Sequence, residues 1–326
     1  MSGGLPQDVS TRALTMDEAP AVVELINRCA IAEWGETDIT LGEVRNEWRR
    51  RDLATDTWGL FEPGGLLVGY GEVDDRRPPR IDAWASVHPD YQGRGIGRYL
   101  LERIEERARQ SVSKAPLEAR VALGNWVAGV NRPAHNLLEG QGYHLARTFW
   151  RMRIVMDAPP AAPELPAGIT FRTMVPGQDD RAVFEASDEA FQDHWGHLPG
   201  NFEQWRERRI THSESFDPGL WLLAVDGDQI AGFSLCGFED EAAWIHTLGV
   251  RRPWRRRGLG MALLRASFDL FYRRGARTVE LGVDASSLTG ATELYKQGGM
   301  SVSRQFDRYE KVLRPGKELS TQELDE

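Results

Sequence analysis

The chain has 326 residues, room for two domains of ordinary size. Its 49 acidic residues outnumber 40 basic ones, for a formal charge of −9, which argues against broad contact with nucleic-acid phosphates and suits a cationic partner. Hydrophobic residues make up 41%, enough for packed cores; Cys29 and Cys236 make neither a disulfide framework nor a metal cluster, and no signal core or membrane-length apolar run is found, so a soluble, cytoplasmic protein is expected.

Val9-Ser10-Thr11-Arg12 opens a segment, and a helical stretch follows near Met16–Cys29, then Trp34-Gly35. The next sharp feature is Ser86-Val87-His88-Pro89-Asp90-Tyr91-Gln92-Gly93-Arg94-Gly95-Ile96-Gly97, a strand leading through a glycine turn into a helix. Such a turn leaves backbone N–H groups facing outward, and the helix that starts there adds its dipole, so the pattern suits an anion such as a phosphate. Residues 157–166 contain four prolines, which reads as an extended linker.

After the linker the order repeats. Ile169-Thr170-Phe171-Arg172 echoes Val9-Ser10-Thr11-Arg12, a helix is expected over Asp179–Phe191, and Trp195-Gly196 echoes Trp34-Gly35. Trp221–Val225 and Ile230–Phe233 flank Asp226-Gly227-Asp228 as a hairpin, with Glu239, Asp240 and Glu241 as a hairpin tip facing water. A strand over Ala243–Val250 leads into Arg255-Arg256-Arg257-Gly258-Leu259-Gly260. The helix after it carries Leu264, Phe268 and Phe271 on one face and ends at Gly275. Val279, Leu281 and Val283 alternate as a strand, a helix covers Thr289–Gln297, and the segment from Pro315 to Glu326 reads as a frayed acidic tail. Four landmarks recur in one order at offsets of 157–163 residues, so the chain reads as two copies of one α+β domain.

Gln92 to Gly97 and Arg255 to Gly260, each five residues after a valine, resemble motif A (Gln/Arg-x-x-Gly-x-Gly) of the GNAT acyl-CoA N-acetyltransferases. Ala291 to Met300, and Asn131 to Tyr143 in the first copy, resemble the family's motif B. The resemblance covers about residues 8–156 and 167–312. It implies two tandem GNAT folds, each an α/β sandwich with a mixed, mostly antiparallel sheet flanked by helices. The expected division is 1–157 for an N-terminal, non-catalytic domain, 158–166 for the linker, 167–314 for a catalytic C-terminal domain and 315–326 for the tail. It also implies acetyl-CoA as acyl donor. The donor's pyrophosphate would lie at Val87, Gln92, Gly93, Arg94, Gly95, Ile96 and Gly97 in one copy, and at Arg255, Arg256, Arg257, Gly258, Leu259 and Gly260 in the other, with its pantetheine arm along Leu248, Gly249 and Val250.

Acyl transfer to an amine needs proton removal from a group of pKa ~10.4, a donor for the oxyanion, and an acid for the departing thiolate. The family's acid is a tyrosine four residues before the motif B glycine. That position is Tyr295 in the second copy and Leu138 in the first, which cannot donate a proton. His246, on a strand face shared with Trp244 and Leu248 and opposite Ala83 of the first copy, is the candidate base. Asp193, His194 and Trp195 lie where the family covers its acceptor, with Asp193 a candidate ligand for a substrate ammonium. The expected reaction is acetylation of a primary amine on a small molecule or peptide. The tandem arrangement is similar to that of mycothiol synthases, which acetylate a cysteinyl amine. An alternative of another class is a CoA-binding regulatory or interaction protein without turnover. The seven scattered histidines and the missing Gly-x-Ser-x-Gly motif favour neither a metal site nor a serine hydrolase.

Overall fold

The computed structural model describes residues 4–6, 8–213, 216–239 and 242–323. Asp240 and Glu241, two of the three residues of the expected acidic hairpin tip, lie outside the described residues.

The first copy runs β1 (Ser10–Arg12), α1 (Ala19–Trp34), α2 (Leu41–Trp48), α3 (Leu53–Asp56), β2 (Thr57–Phe61), β3 (Leu67–Arg77), β4 (Arg80–Val87), α4 (Ile96–Gln110), β5 (Val121–Ala128), α5 (Arg132–Gly140) and β6 (His144–Val155). The helix expected near Met16–Cys29 begins as a short 3-10 turn at Met16–Glu18 and continues to Trp34, where Gly35 ends it at φ 80°. A side chain there would meet strain that glycine avoids. Thr40 caps α2 by a capping box with Glu43.

The second copy runs β7 (Ile169–Thr173), α6 (Asp180–Phe191), α7 (Phe202–Arg206), β8 (Trp221–Asp226), β9 (Gln229–Glu239), β10 (Ala242–Val250), α8 (Leu259–Arg273), β11 (Thr278–Asp284), α9 (Ala291–Gln297) and β12 (Ser301–Arg314). The elements predicted in this copy are present, with β9 running six residues beyond the expected Ile230–Phe233. The proline-rich stretch carries no helix or strand.

Two compact units result, and their membership differs from the division expected at residue 157. One comprises Met1–Thr148 with Arg304–Leu319, the other Phe149–Ser303 with Ser320–Glu326. In the first, β1, β2, β3 and β4 pair antiparallel in turn, β4 pairs β5 in parallel, and the sheet closes on β12, antiparallel to β5 from Phe306↔Ala128 to Arg314↔Val121. In the second, β7, β8, β9 and β10 pair antiparallel, β10 pairs β11 in parallel, and the closing strand is β6, antiparallel to β11 from Thr278↔Val155 to Asp284↔Phe149. Each unit therefore takes its last strand from the other sequence copy.

Helices cover both faces of each sheet. In the first unit Val22, Leu25 and Trp48 of α1 and α2 pack with Leu67 and Tyr70, while Leu100 and Ile104 of α4 pack with Val68, Ile81, Val121 and Leu123. In the second, Val183, Ala186 and Ala190 of α6 pack with Leu223 and Phe233, while Leu264, Phe268 and Phe271 of α8 pack with Ile245, Val279 and Leu281. The face predicted from Leu264, Phe268 and Phe271 is thus the buried one. Burying each such side chain contributes about 1.5–3 kcal/mol.

Candidate active site

In both copies the parallel central pair separates before its strands end. Pairing of β4 with β5 stops at Ala83↔Asn125, and pairing of β10 with β11 stops at Trp244↔Glu280. By the motif B offset Glu280 corresponds to Leu123, so the second copy opens two residues earlier. Beyond that point β10 keeps β9 on one side, and among the described residues the edge of Leu248, Gly249 and Val250 has no strand partner on the other. An extended ligand with amide groups can pair with such an edge.

The glycine turns follow directly. Gly95 and Gly258 cap α4 and α8 at φ 88° and 83°, and a Cβ at either would meet open space, so the backbone angle is what requires glycine. The first helical hydrogen bonds are Tyr99 N–H to Gly95 O and Ala262 N–H to Gly258 O. The N–H groups of Ile96, Gly97 and Arg98, and of Leu259, Gly260 and Met261, are therefore left without helical acceptors at the positive end of a 15-residue helix. Gly97 and Gly260 have a steric role: a Cβ would lie 3.2 Å from Leu137 Cδ2 and Leu294 Cδ2 respectively, where the motif B helix packs.

The two turns differ in charge and strain. Gly93 sits at φ 75°, whereas its counterpart Arg256 is held at φ 59°, the one non-glycine residue with positive φ among the described residues. Such a conformation costs about 1–2 kcal/mol and tends to persist at functional sites. Arg256 and Arg257 are exposed. Arg255 is not available in the same way: Nε donates to Val250 O at 3.0 Å, Nη2 to Ala190 O at 3.0 Å, and Nη1 meets Asp193 Oδ2 at 2.5 Å. Gln92 is exposed, and Arg94 folds back onto Asp90 O and the Tyr91 ring.

Asp193, expected as an ammonium ligand, has both oxygens occupied by Arg255 and Arg252, the latter at 2.5 Å. Those hydrogen bonds hold its carboxyl at about 2. His194 stacks on Phe191 at 4.2 Å, and burial with the nearby Arg255 charge pushes it down to about 4. Trp195 donates through Nε1 to Gln322 Oε1 at 2.8 Å and meets the Phe149 ring edge-on. The tail expected to fray is tied here too: Gly196 N–H donates to Thr321 O, Thr321 N–H to His197 O, and Thr321 Oγ1 to Gln192 O.

His246 stands at a β-bulge. Ile245 pairs with Cys236 and Thr247 with Leu235, so His246 is the extra residue and the simple alternation predicted through Trp244, His246 and Leu248 is interrupted. Its Nδ1 is 3.5 Å from Glu239 Oε1, its Nε2 is buried without a partner, and burial plus the Arg209 charge lower it to about 4. Tyr295 on α9 is buried against Leu264, Val279 and Met300, and burial raises its hydroxyl to about 12. No hydrogen bond to that hydroxyl is found among the described residues. It is a protonated donor at any physiological pH.

In the first copy a cleft of about 360 Å³ extends from Gln92, Gly93, Gly95 and Gly97 of the turn, between the parted ends of β4 and β5, to Leu138 of α5 and Glu33 of α1. That volume is within the range of small-molecule sites. The sequence reading missed the cleft's polar groups, Glu33 and Asn125. The pairing of Glu33 with Asn131 spans 98 residues, which no local pattern signals.

The sequence profile described as "Acetyltransferase (GNAT) family" matches residues 19–143 and again 181–299. The chain belongs to this family. A mycothiol acetyltransferase from Saccharopolyspora erythraea is 32% identical over 72% of this chain and 79% of that protein. The crystal structure of a GCN5-related N-acetyltransferase from Sphaerobacter thermophilus is 41% identical, with a TM-score of 0.86 over 98% of this chain and 100% of that one. A tandem GNAT protein from the clavulanic acid biosynthesis pathway shares the fold, with a TM-score of 0.72 at 18% identity over 95% of this chain and 100% of its own. The chain is thus a tandem GNAT N-acetyltransferase resembling the mycothiol enzymes, of a family that uses acetyl-CoA, and the reading without turnover falls away. No helix among the described residues is long and apolar enough to cross a membrane.

Proposed function

We propose that the chain acetylates the primary amine of a small molecule or peptide, with this chemistry in the second copy. Acetyl-CoA supplies the activated acyl carbon and a thiolate leaving group. The N–H groups of Leu259, Gly260 and Met261 and the exposed Arg256 and Arg257 fit its phosphates, and the open edge of Leu248–Val250 fits its amide-bearing arm. Val87 and Gln92–Gly97 fit a second molecule in the first copy.

The observation that carries the assignment is the Tyr295 hydroxyl. It is protonated, without a hydrogen-bond partner among the described residues, and on the motif B helix beside the strand pair that parts after Trp244 and Glu280. Tyr295 donates to the departing sulfur, and Leu138 has no proton to give at the same place in the first copy. His246 is neutral near pH 7, with Nε2 ready to accept a hydrogen bond from the incoming amine or a water. With a pKa of about 4 it orients rather than retains the proton. Asp193 and Trp195 act by shaping the acceptor loop rather than by touching charge on the substrate.

The relatives named mycothiol acetyltransferase support a narrower reading, in which the acceptor is a cysteinyl amine. Mass spectrometry of the acetylated product tests both readings. Wild type, Tyr295→Phe and Arg256→Ala are given acetyl-CoA with a cysteinyl amine or with its serine analogue. Loss of product in Tyr295→Phe supports the second copy as catalytic. Full activity there removes Tyr295 from the reaction, and equal rates on the serine analogue remove the thiol from recognition.

A further inference from the structure

We propose that the first copy has an acceptor site of its own, a pocket for a primary amine with an apolar body, in which Glu33 receives the amine. The proposal rests on the reading of Gln92–Gly97 as an acyl-CoA site and adds a second reaction centre to it.

Glu33 stands near the end of α1 on the wall of the cleft. Its Oε1 accepts from Asn131 Nδ2 at 2.6 Å, and no cation pairs with it among the described residues. The other carboxylate lining the cleft, Asp38, is bound by Arg304 at 2.5 Å. Burial pushes the Glu33 carboxyl above the ordinary range; the Asn131 hydrogen bond opposes this and the Asp38 charge adds to it. A carboxylate taken partly out of water calls for a cation or a proton, and here neither comes from the protein. Trp34, Trp84 and Trp126 form other walls of the same cleft. Arg304 already lies over the Trp34 ring at 4.8 Å and Arg308 over the Trp126 ring at 5.9 Å, so these walls serve the acceptor by burying an alkyl or aryl body.

The acyl side is marked by Asn125, the last β5 residue paired with β4. It is 5% exposed and lines the cleft, and its amide lies beside the buried Tyr143 hydroxyl. A buried donor at the point where the strands separate fits a carbonyl oxygen. The constellation belongs to this copy alone: by the repeat offsets His194 stands opposite Glu33, Gly282 opposite Asn125 and Leu288 opposite Asn131.

The reaction balances with acetyl-CoA and an amine as the only reactants. The bound ammonium first gives one proton to the Glu33 carboxylate, which passes it to solvent; the freed amine lone pair then forms a bond to the thioester carbonyl carbon, and the C–S bond breaks with its electron pair on sulfur. The proton released from nitrogen passes to the Glu33 carboxylate. An amide, the CoA thiolate and protonated Glu33 result, and the proton then goes to solvent. A thiol of pKa ~8.5 leaves as thiolate at mildly alkaline pH without the acid that Leu138 cannot supply.

The full chain is assayed with acetyl-CoA and 2-phenylethylamine, alongside Glu33→Gln and Gly93→Asp. Calorimetric titration of acetyl-CoA comes first. A site lost in Gly93→Asp and kept in Glu33→Gln places the donor at the first turn and shows that the variant is folded. The expected result is then a loss of at least tenfold in kcat/KM for phenylethylamine in both Glu33→Gln and Gly93→Asp. The wild-type rate falls on acidification through an ionisation above the usual carboxylate range, and Glu33→Gln lacks this limb. Of the other groups lining the cleft, Cys29 is pushed up to about 12, and Asp38 is bound by Arg304. Should Glu33→Gln lose the acetyl-CoA site, Glu33→Asp carries the same comparison. Unchanged activity in the Glu33 variant overturns the proposal. So does the absence of transfer to phenylethylamine, tryptamine and cysteamine while the first-turn site is filled. If no acetyl-CoA binds at the first turn, the reading of the turn itself has failed, and the titration shows that separately.

Discussion

Arg255 Nη1 stands 2.5 Å from Asp193 Oδ2, which joins the start of the second glycine turn to the loop after α6. Arg252 takes the other Asp193 oxygen, so one carboxylate holds two arginines beside the segment proposed to bind phosphate. Removing the carboxylate leaves two cations facing each other. Asp193→Ala is expected to destabilise the fold by about 1–3 kcal/mol, below the range for a fully buried pair because both arginines reach solvent. A thermal melt lower by several degrees, with weaker acetyl-CoA binding and little change in KM for the amine, is the expected pattern. A rise confined to the amine KM would return Asp193 to the role of a substrate ligand.

Tyr295→Phe removes one oxygen from a buried ring and leaves the packing with Leu264 and Val279 intact. Turnover by the second copy is expected to fall about 10²–10⁴-fold, the range for a general acid. The acetyl-CoA dissociation constant is expected to stay within a factor of about two. Pre-steady-state release of CoA, followed beside equilibrium titration, separates the two quantities.

Arg256 combines a costly backbone angle with an exposed charge. Arg256→Gly relieves the angle and removes the charge, so stability and binding should move in opposite directions. The expected outcome is a stability gain of about 1 kcal/mol or less, since glycine also gives entropy to the unfolded chain, with weaker acetyl-CoA binding. A variant both less stable and equally tight would show that neither property is set there.

His194 and His246 are each lowered from the ordinary 6.5 to about 4, both chiefly by burial. Between those values the unfolded chain binds protons that the folded one refuses. Stability is therefore fully present above pH 6.5 and is lost as the pH falls toward 4. The slope is at most about 1.4 kcal/mol per pH unit for each histidine. Denaturant midpoints should fall between pH 7 and pH 5, and His246→Gln should flatten part of that fall. A midpoint independent of pH over this interval would contradict the burial of both rings.

What could be read in advance was local. The helix expected over Asp179–Phe191 is found at Asp180–Phe191, and the face carrying Leu264, Phe268 and Phe271 is the buried one, because periodicity and capping depend on near neighbours. The glycine turns were visible because positive φ restricts residue choice. The bulge at His246 was not, since it exists only relative to β9. Nor was the engagement of Asp193 by Arg252 and Arg255, about 60 residues away, or of Glu33 by Asn131. The polar tail was expected to fray on composition alone, yet Thr321 and Gln322 bind the loop at Gln192–His197. Its partners lie more than a hundred residues upstream.

The closing strand of the first unit lies in the second sequence copy, far downstream of its partner. Ala128 on β5 pairs with Phe306, 178 residues later. At a synthesis rate of ~5–20 residues per second, roughly ten to thirty-five seconds pass before that partner exists. During that time the nascent first half has helices and most of its sheet but an unprotected β5 edge, the kind of surface that recruits foreign strands. Vectorial folding on the ribosome is therefore closed to this unit. It matures only after the second half has been made.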